Sequence, residues 1–410
     1  MSKHRMLIFT LLGIQLLGVW IVGKFVYDLN PDWHDDTMEI YFNYSSRMLS
    51  GEFPYRDYSM EYPPFALLPF CFPFLISKNL TLQDYTNLFL FENVLLSLLV
   101  SGLAIRISSY VSSKKQAQIR TAAISMMASI LCAPLFAWRY DLFPAALTLL
   151  SLNLLLAGRP GLSGFCIGVG TATKIYPFVA IPVMMLYLWI NKGKQSLTKF
   201  VLGGIFSSLA LIPFFIIAPK WITQFLAYHQ LRGLQLESIF SGILLVGHLL
   251  GKFQVMVVSN FSAFHLVSEQ TDVIIGLIPY FFISIFTFGI IFCFLNFKQS
   301  YKSNKVIPAK NIVVYILVTI LTFILTNKVF SPQYIAWILP FVPLVRFRYA
   351  SLMVVIMMLT MMIFPLGYEL LKDLQVSGVL LLNLRNSLLV LLLFWLLFDY
   401  RPTIMKPIQT

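Results

Sequence analysis

Long apolar runs alternate with short polar segments along almost the whole chain. A membrane-spanning helix needs about 20 predominantly apolar residues, with about 17 as a practical minimum. On this measure, with allowance for shorter packed spans, the pattern predicts an all-α polytopic membrane protein with about twelve transmembrane helices. The predicted helices cover residues 6–26, 88–110, 120–138, 142–157, 162–174, 175–190, 197–218, 272–297, 310–326, 333–345, 349–367 and 379–399.

The composition agrees with this fold class. Hydrophobic residues make up 58% and charged residues 11% of the 410 positions, and no soluble fold buries that much apolar surface. The formal net charge of +13 comes from Lys and Arg in short clusters between apolar runs, so it gives no indication of nucleic-acid binding. The four cysteines and five histidines show no metal-ligand spacing, and neither a disulfide framework nor a metal site is predicted.

The clusters of Lys and Arg fall on one side of the membrane if the predicted helices alternate in direction. Positively charged loops collect on the cytoplasmic side, so both termini are predicted to be cytoplasmic. The membrane itself is expected to be a bacterial plasma membrane. The clusters are Lys3 with Arg5, Lys114 with Lys115 and Arg120, Arg159, Lys192 with Lys194 and Lys199, Lys298 with Lys302 and Lys305, Arg346 with Arg348, and Arg401 with Lys406.

Three apolar runs have special interpretations. The run 6–26 follows a basic tetrapeptide and lacks a small-residue cleavage site, so it is predicted to be a retained signal anchor. The runs 65–76 and 239–250 are too short to cross, and the first contains Pro69 and Pro73. Both are predicted to be interfacial or re-entrant helices on the extracytoplasmic side.

Residues 27–64 form the one long polar stretch near the start of the chain. A segment this acidic in a basic protein is predicted to face the extracytoplasmic side, opposite the loops where Lys and Arg collect. Its only cations are Arg47 and Arg56. Its carboxylates are Asp28, Asp32, Asp35, Asp36, Glu39, Glu52, Asp57 and Glu61.

Five polar segments lie on that same side in the predicted topology. Charges at helix ends and kinks are costly unless they pair or line a cavity, so the segments are predicted to share one extracytoplasmic cavity. The polar residues are Asp35, Asp36, Glu61 and Tyr62 in the first loop, Arg139 and Asp141, Lys174 and Tyr176, His229, Arg232, Gln235 and Glu237, and Asn327, Lys328, Ser331, Gln333 and Tyr334.

The cations and carboxylates of this set suit different tasks. Arg and Lys can hold a phosphate at the membrane boundary, and a carboxylate beside that phosphate suits a general base that takes a proton from a hydroxyl.

These residues also have simpler structural interpretations. Arg139 and Asp141 could form an ion pair, and Lys174 and Lys328 could reach the lipid headgroups. Other members of the set are open to the same choice, since Glu61 could cap an interfacial helix and His229 could be a solvated loop histidine.

Four sequence blocks together resemble glycosyltransferase family 87, the polyprenyl-phosphate-mannose-dependent mannosyltransferase-like family of the C-type membrane glycosyltransferase superfold. They occur in the family's order between about residues 35 and 345. The blocks are DDTMEIYFNYSSRMLSGEFPYRDYSMEYPP, the stretch from RYDLFP to TKIYPFVAIP, YHQLRGLQLESI, and NKVFSPQYIAWILPF.

The resemblance implies a membrane enzyme that moves a mannose-like hexose from a polyprenyl-phosphate donor to a lipid or glycan acceptor, with inversion, on the extracytoplasmic side. The family commonly has an Asp four residues before the tyrosine that matches Tyr41, and that position is Thr37. Asp36 or Asp35 is therefore expected to be the catalytic base, and Asp36 is favoured.

Further roles combine the resemblance, carried over for Arg139, Asp141, Lys174, Lys328, Ser331 and Gln333, with the chemistry of the other polar residues. No cofactor is expected, and a divalent cation is the alternative. The oligomeric state is open. Lys174, Arg232, Lys328 and Arg139 are expected to bind the donor phosphate. Glu61, Tyr62, Asp141, His229, Glu237 and Gln333 are expected to contact the sugar or the acceptor.

The chain is expected to be a single glycosyltransferase domain, residues 1–410. Its parts are an extracytoplasmic loop with interfacial helices (27–87), a first helical module (88–218), an outer loop (219–271) and the C-terminal helices (272–410). Two other functions stay open, because a flippase or transporter for lipid-linked sugars and an O-antigen-type ligase or polymerase would also need an outer polar cavity. A transporter should carry broken or charged helices into the cytoplasmic half, whereas these polar residues collect on one side.

Overall fold

Apolar helices make up most of the molecule. The computed structural model describes residues 3–29 and 31–400, and for residues 31–33 only the backbone. The predicted contributions of Asp32, Arg401 and Lys406 therefore lie outside the described residues. Within the described part, seven helices are long and apolar enough to cross a membrane, and all twelve predicted spans are helical over most of their length. The chain is a multi-pass membrane protein, as predicted.

The N-terminal part packs three long helices side by side around buried polar contacts. Gln15 donates from its amide to the Ser97 carbonyl (3.0 Å) and to the Ser129 hydroxyl (3.2 Å), which joins the first helix to the fourth and fifth. Such contacts hold helices together where lipid provides no hydrophobic drive. The elements are α1 (Lys3–Leu29), α2 (Pro31–Leu49), a 3-10 turn (Pro64–Ala66), α3 (Leu67–Ile76), α4 (Leu82–Val111) and α5 (Lys115–Phe136).

Glycines allow two helices of the central part to approach closely. A Cβ atom added to Gly164 would lie 1.8 Å from the Phe200 carbonyl oxygen, and one added to Gly203 would lie 1.9 Å from that of Gly161. The backbones therefore touch without side chains between them. The elements are α6 (Leu142–Leu156), α7 (Pro160–Thr173), a 3-10 helix (Tyr176–Ala180), α8 (Ile181–Lys192), α9 (Lys194–Ser208), a 3-10 turn (Leu209–Leu211) and α10 (Ile212–Ile217).

A small antiparallel sheet, which the sequence pattern did not predict, follows the central helices. Its strand order is β1-β3-β2, and His265 of the middle strand pairs with Gln235 on one side and Val258 on the other. The hairpin turn places Phe261 and Ser262 at positive φ, 49° and 51°. The elements are α11 (Trp221–Leu231), β1 (Leu234–Gln235), α12 (Ile239–Leu249), β2 (Met256–Asn260) and β3 (Ala263–Val267).

The C-terminal part contains one almost fully buried helix, α14 (Ala309–Leu325), which packs against α4 and α8 as well as against the C-terminal helices α13 (Thr271–Asn304) and α18 (Val376–Asp399). Its Asn311 donates to Asn296 of α13 (2.7 Å), and its Tyr315 donates to the Tyr400 carbonyl (2.9 Å). The elements are α13 (Thr271–Asn304), α14 (Ala309–Leu325), a 3-10 turn (Pro332–Tyr334), α15 (Ile335–Ile338), a 3-10 helix (Leu339–Leu344), α16 (Phe347–Met361), a π-helical turn (Met362–Leu366), α17 (Tyr368–Lys372) and α18 (Val376–Asp399).

The basic clusters and the polar segments lie at opposite ends of the helices. Helix α5, with 22 residues and a length of about 33 Å at 1.5 Å per residue, separates Lys115 from the turn that holds Arg139. Helices α6, α7 and α8 then run back and forth between the two ends. At the basic end, Arg346 and Arg348 both pair with Asp399 (2.5 and 2.6 Å) and join α16 to α18.

Candidate active site

The five polar segments meet in one cavity of about 680 Å³ at the end of the helices remote from the basic clusters. Four carboxylates, four cations and one histidine line it in the described part of the chain. They are Asp36, Glu61, Asp141, Glu237, Arg139, Lys174, Arg232, Lys328 and His229. Tyr62, Gln235 and Gln333 line it too, so every predicted site residue except Asp35 reaches the cavity wall.

Helix α2 brings Asp36 to the cavity. Tyr41 of the same helix also lines the cavity, is 1% exposed, and stacks on Phe70 with ring centroids 4.1 Å apart, which holds the helix in place. Consecutive helical residues point about 100° apart, so Asp35 and Asp36 face different ways. The carboxylate of Asp35 accepts a hydrogen bond from the hydroxyl of Tyr27. The position in the structure therefore favours Asp36 over Asp35 as the carboxylate that meets a substrate.

Asp141 and Lys174 form an ion pair at the centre of the cavity wall. The Lys174 ammonium lies 2.6 Å from Asp141 Oδ1, and the Trp337 indole N–H donates to the same oxygen at 2.7 Å. The Lys174 ammonium also lies 4.6 Å from the ring centroid of Tyr140 and 5.5 Å from that of Tyr334. Aromatic faces and a carboxylate together stabilise a cation that is largely withdrawn from water.

This ion pair corrects one interpretation of the sequence. The carboxylate of Asp141 pairs with Lys174, 33 residues further along the chain, and not with its neighbour Arg139. Arg139 donates from Nη1 to the backbone carbonyl of Trp138 at 3.0 Å. The remaining guanidinium donors of Arg139 are therefore not committed to Asp141, and Arg139 is better placed than Lys174 to receive an anion.

Arg232 and Lys328 form a second cationic region. The Lys328 ammonium donates to the carbonyls of Gln230 (2.8 Å) and Arg232 (2.5 Å), so it fixes the chain that presents Arg232. Burial and repulsion from Arg232 hold the pKa of Lys328 below its usual value. The Nε of Arg232 is buried and has no hydrogen-bond partner among the described residues. A buried, unpaired guanidinium donor is suited to a negatively charged ligand.

Glu61, Tyr62 and His229 complete the wall near α11. The His229 ring packs edge-to-face on Phe225, with centroids 4.5 Å apart. Burial and the charge of Arg232 lower the pKa of His229 to about 4. His229 is therefore neutral at neutral pH and offers a hydrogen bond rather than a charge.

Glu237 lies on the side of the cavity formed by the C-terminal helices. Its side chain is 1% exposed, and Oε1 accepts a hydrogen bond from the Tyr368 hydroxyl at 2.8 Å. Its backbone carbonyl accepts a hydrogen bond from Arg385 Nη2 at 2.9 Å. Burial raises the pKa of Glu237 to about 7. The second oxygen, Oε2, has no hydrogen-bond partner in the described part of the chain.

The turn after α14 supplies Gln333. Its amide oxygen accepts a hydrogen bond from the Ser331 hydroxyl at 2.6 Å, which orients the amide group. The next residue, Tyr334, stacks on Trp337 with ring centroids 3.8 Å apart. The turn is therefore held against the cavity wall by stacked rings, and Gln333 presents its NH₂ group as a donor.

A second, apolar cavity of about 550 Å³ adjoins the first. It lies between α7, α9 and α11, and its lining is almost entirely hydrocarbon. Pro63, Ile175 and Phe225 line both cavities. Ile175 directly follows Lys174 in the chain, so the apolar cavity reaches the polar one beside the Asp141–Lys174 ion pair.

The family model that matches the chain is that of glycosyltransferase family 87. The match covers residues 61–284, or 224 of 410 residues. The chain belongs to glycosyltransferase family 87. The family is named for glycosyl transfer, and the apolar helices of this family 87 chain are those of a multi-pass membrane protein.

Two solved structures resemble the fold of this family 87 chain weakly. The apo crystal structure of the Archaeoglobus fulgidus oligosaccharyltransferase has a TM-score of 0.44 and 12% identity, over 97% of this chain and 57% of that chain. The complex of the same enzyme with Zn and sulfate has a TM-score of 0.39 and 11% identity, over 91% and 53%. This chain therefore spans somewhat more than half of the oligosaccharyltransferase. No curated protein matches the sequence significantly.

Arg385 was not among the residues predicted for the site. It is 1% exposed in the middle of α18, and its guanidinium lies 4.0 Å from the ring centroid of Phe330. An ionisable residue inside an apolar span marks a function by default. That signal was present in the run 379–399, which contains no other charge before Asp399.

The family 87 chain offers few ligands for a metal ion. Among the residues that the structure describes, no three His, Cys, Asp or Glu side chains come together as a metal site would require. Two of the four cavity carboxylates already have partners, since Asp141 holds Lys174 and Glu237 holds Tyr368.

Proposed function

We propose that this glycosyltransferase moves a mannose-like hexose from a polyprenyl-phosphate donor to a hydroxyl of a lipid or glycan acceptor. The reaction takes place at the extracytoplasmic face of the plasma membrane, with both termini in the cytoplasm. The observation that carries the proposal is the junction of the two cavities. A charged cavity and an apolar one share Pro63, Ile175 and Phe225, which suits a donor with a charged head and a hydrocarbon tail.

The head of such a donor carries a phosphate that becomes the leaving group. Arg139 and Arg232 line the cavity, the Nε of Arg232 has no hydrogen-bond partner among the described residues, and Lys328 fixes the position of Arg232. Preorganised cations stabilise the charge that grows on the departing phosphate. Lys174 adds its charge from a fixed position beside Asp141, at the side where the apolar cavity begins.

The proposed reaction is a single displacement. The acceptor oxygen forms a bond to the anomeric carbon while the bond from that carbon to the phosphate oxygen breaks, and Asp36 takes the proton of the acceptor hydroxyl. Inverting glycosyl transfer requires such a base on the face of the sugar opposite the leaving group. Glu61, Tyr62, His229 and Gln333 are proposed to hold sugar hydroxyls. The proposal assigns no cofactor, and a divalent cation between phosphate and carboxylate is the alternative.

The adjacent carboxylates of α2 provide a matched test. Purified protein is supplied with synthetic polyprenyl-phosphate mannose and octyl mannoside, and released polyprenyl phosphate and elongated glycoside are measured. Asp36→Asn should lower kcat by at least about 100-fold, because the general base is lost. Asp35→Asn should keep most of the activity, since its carboxylate is turned towards Tyr27.

Each other outcome has a definite meaning. If Asp36→Asn transfers at the wild-type rate, Asp36 is not the base. If the wild-type protein carries the lipid-linked sugar across vesicle membranes without consuming it, the protein is a transporter and the proposed reaction is wrong.

A further inference from the structure

The cavity wall around Glu237 contains buried hydrogen-bond acceptors that have no assigned ligand in the proposed binding of the donor. Glu237 and Gln235 are 1% and 2% exposed, and both line the cavity. Glu237 Oε2 and Gln235 Oε1 each lack a hydrogen-bond partner among the described residues. Both atoms are acceptors, and an unpaired buried acceptor is costly. The ligand that satisfies them must therefore bring hydrogen-bond donors such as sugar hydroxyls.

The residues of this wall are not among those that line the apolar cavity proposed for the donor's tail. The apolar cavity touches the polar one at Pro63, Ile175 and Phe225 and includes nothing beyond residue 226 of the chain. The Glu237 wall is formed by later segments, namely residues 235–237, the hairpin 259–264, Phe364 and Tyr368. A donor whose tail occupies the apolar cavity leaves this side of the polar cavity for the second substrate.

Two residues, Tyr368 and Arg385, fix the position of Glu237 through hydrogen bonds. Tyr368 donates to Glu237 Oε1, and Arg385 donates to the Glu237 backbone carbonyl. Arg385 does not line the cavity, and its guanidinium rests on the ring of Phe330. Together they orient one carboxylate oxygen towards protein and leave the other for a ligand, which is the arrangement of a preorganised binding site.

We propose that Glu237 and Gln235 form the subsite for the acceptor, a polyhydroxylated glycan or lipid headgroup, and that Tyr368 and Arg385 are positioning residues for Glu237. This inference rests on the proposed transfer reaction and specifies which substrate the Glu237 wall binds. Neither Glu237 nor Gln235 lines the apolar cavity, so the subsite is separate from the groove proposed for the donor's lipid, while the Gln235 N–H donates to the Lys328 carbonyl at 2.9 Å, beside the cations proposed for the donor phosphate.

The groups that face Glu237 make the subsite sensitive to pH. Burial raises its pKa to about 7, while the Tyr368 hydrogen bond and the charges of Arg385 and Arg232 act in the opposite direction. Above this pKa, Glu237 is a carboxylate and accepts hydrogen bonds from acceptor hydroxyls. The KM for the acceptor should therefore rise as the pH falls through about 7. Tyr368→Phe removes a bond that favours the carboxylate and should move this rise to higher pH.

The first experiment measures KM for octyl mannoside and for polyprenyl-phosphate mannose separately. Glu237→Gln should raise KM for the acceptor about tenfold, as expected for the loss of a charge-assisted hydrogen bond, and should leave KM for the donor unchanged. It should also abolish the pH dependence of the acceptor KM. Arg385→Lys loses the planar fork and should raise KM for the acceptor without changing KM for the donor.

A matched control comes from the neighbour of Tyr368. Glu369 is an exposed carboxylate that pairs with Lys372 at 2.7 Å, and Glu369→Gln should change neither KM nor its pH dependence. The proposal is overturned if Glu237→Gln leaves the acceptor KM unchanged, or if it raises the donor KM alone.

A second measurement separates this proposal from the transfer reaction. Binding of octyl mannoside to the protein is followed without donor, by thermophoresis, for the wild type and Glu237→Gln. If the wild type transfers no sugar but binds octyl mannoside about tenfold more tightly than the variant, the transfer reaction is wrong and the subsite stands. Equal affinities, or no binding by either protein, overturn the subsite.

Discussion

Asp141 compensates the charge of the poorly exposed Lys174 in the cavity wall. One of its oxygens accepts hydrogen bonds from both Lys174 and Trp337. Both partners of the ion pair are poorly exposed, with 17% for the Lys174 side chain and 1% for that of Asp141. Breaking a buried pair by removing one partner leaves an uncompensated charge and is strongly destabilising.

Asp141→Asn is therefore expected to lower the stability of the protein by about 3 kcal/mol, measured as a fall in the thermal denaturation midpoint in detergent. The double variant Asp141→Asn with Lys174→Met should recover much of the loss, because no buried charge remains. Asp399→Asn is the control, since its partners Arg346 and Arg348 are exposed and exposed pairs contribute about 1 kcal/mol or less. Equal losses in the two single variants would contradict this account.

The sequence predicted at this scale which residues gather, but not which of them bond to each other. Arg139, Asp141 and Lys174 were all placed in one cavity, yet the ion pair joins the two that are distant in the chain. Which cation pairs with Asp141 depends on how closely the ends of α5, α6 and α7 approach one another. The spacing of residues along the chain does not contain that information. Arg385 could have been found, since a lone charge in an apolar span is visible without a structure.

Among the elements, the pair α7 and α9 sets the shape of the apolar cavity. Gly164 and Gly204 line this cavity, and Gly164 lies directly against the backbone of Phe200. A Cβ added to Gly204 would in turn lie 3.6 Å from the Gly164 carbonyl oxygen. The close approach of the two helices that flank the apolar cavity therefore depends on positions without side chains.

Gly164→Ala should destabilise the protein by about 1–3 kcal/mol, because its Cβ would overlap a backbone oxygen that only a helix shift can move. The thermal midpoint in detergent is the measurement. Gly102→Ala in α4 is the control, since nothing lies within 4 Å of the added Cβ and Ala favours helix more than Gly. A lower midpoint for Gly102→Ala than for Gly164→Ala would contradict the packing argument.

Helices were predictable as elements, but the sheet was not. An apolar run of membrane length has few alternatives to a helix, because lipid cannot satisfy backbone groups. Strands β1, β2 and β3 contain only two to five residues, so they show too little alternation to be recognised. Strands β2 and β3 form a local hairpin, whereas β1 pairs with residues 265–266 of β3, about 30 residues further along the chain.

At the scale of the whole molecule, the cavity with its carboxylates and the clusters of Lys and Arg between the helices lie at opposite ends. The cavity with its carboxylates lies at one end, and Lys115, Arg159, Lys194 and Arg346 lie at the other. Lys and Arg mark the cytoplasmic side, so this division supports an extracytoplasmic cavity.

Single cysteines in a cysteine-free background test that orientation. Ser262 lies at the hairpin tip beside the cavity and Ser303 lies near the end of α13, and both are exposed. A membrane-impermeant maleimide added to intact cells should label Ser262→Cys and not Ser303→Cys. Labelling of Ser303→Cys alone would place the cavity in the cytoplasm and overturn the proposed localisation.

The proposed lipid-linked donor would reach the polar cavity from the bilayer, past the shared wall at Pro63, Ile175 and Phe225. A substrate that enters sideways from the bilayer is never dissolved in the aqueous phase, so its effective concentration is its mole fraction among the surrounding lipids. Adding inert lipid to proteoliposomes at constant total donor then dilutes the donor in two dimensions and slows turnover. The soluble volume of the sample has no such effect.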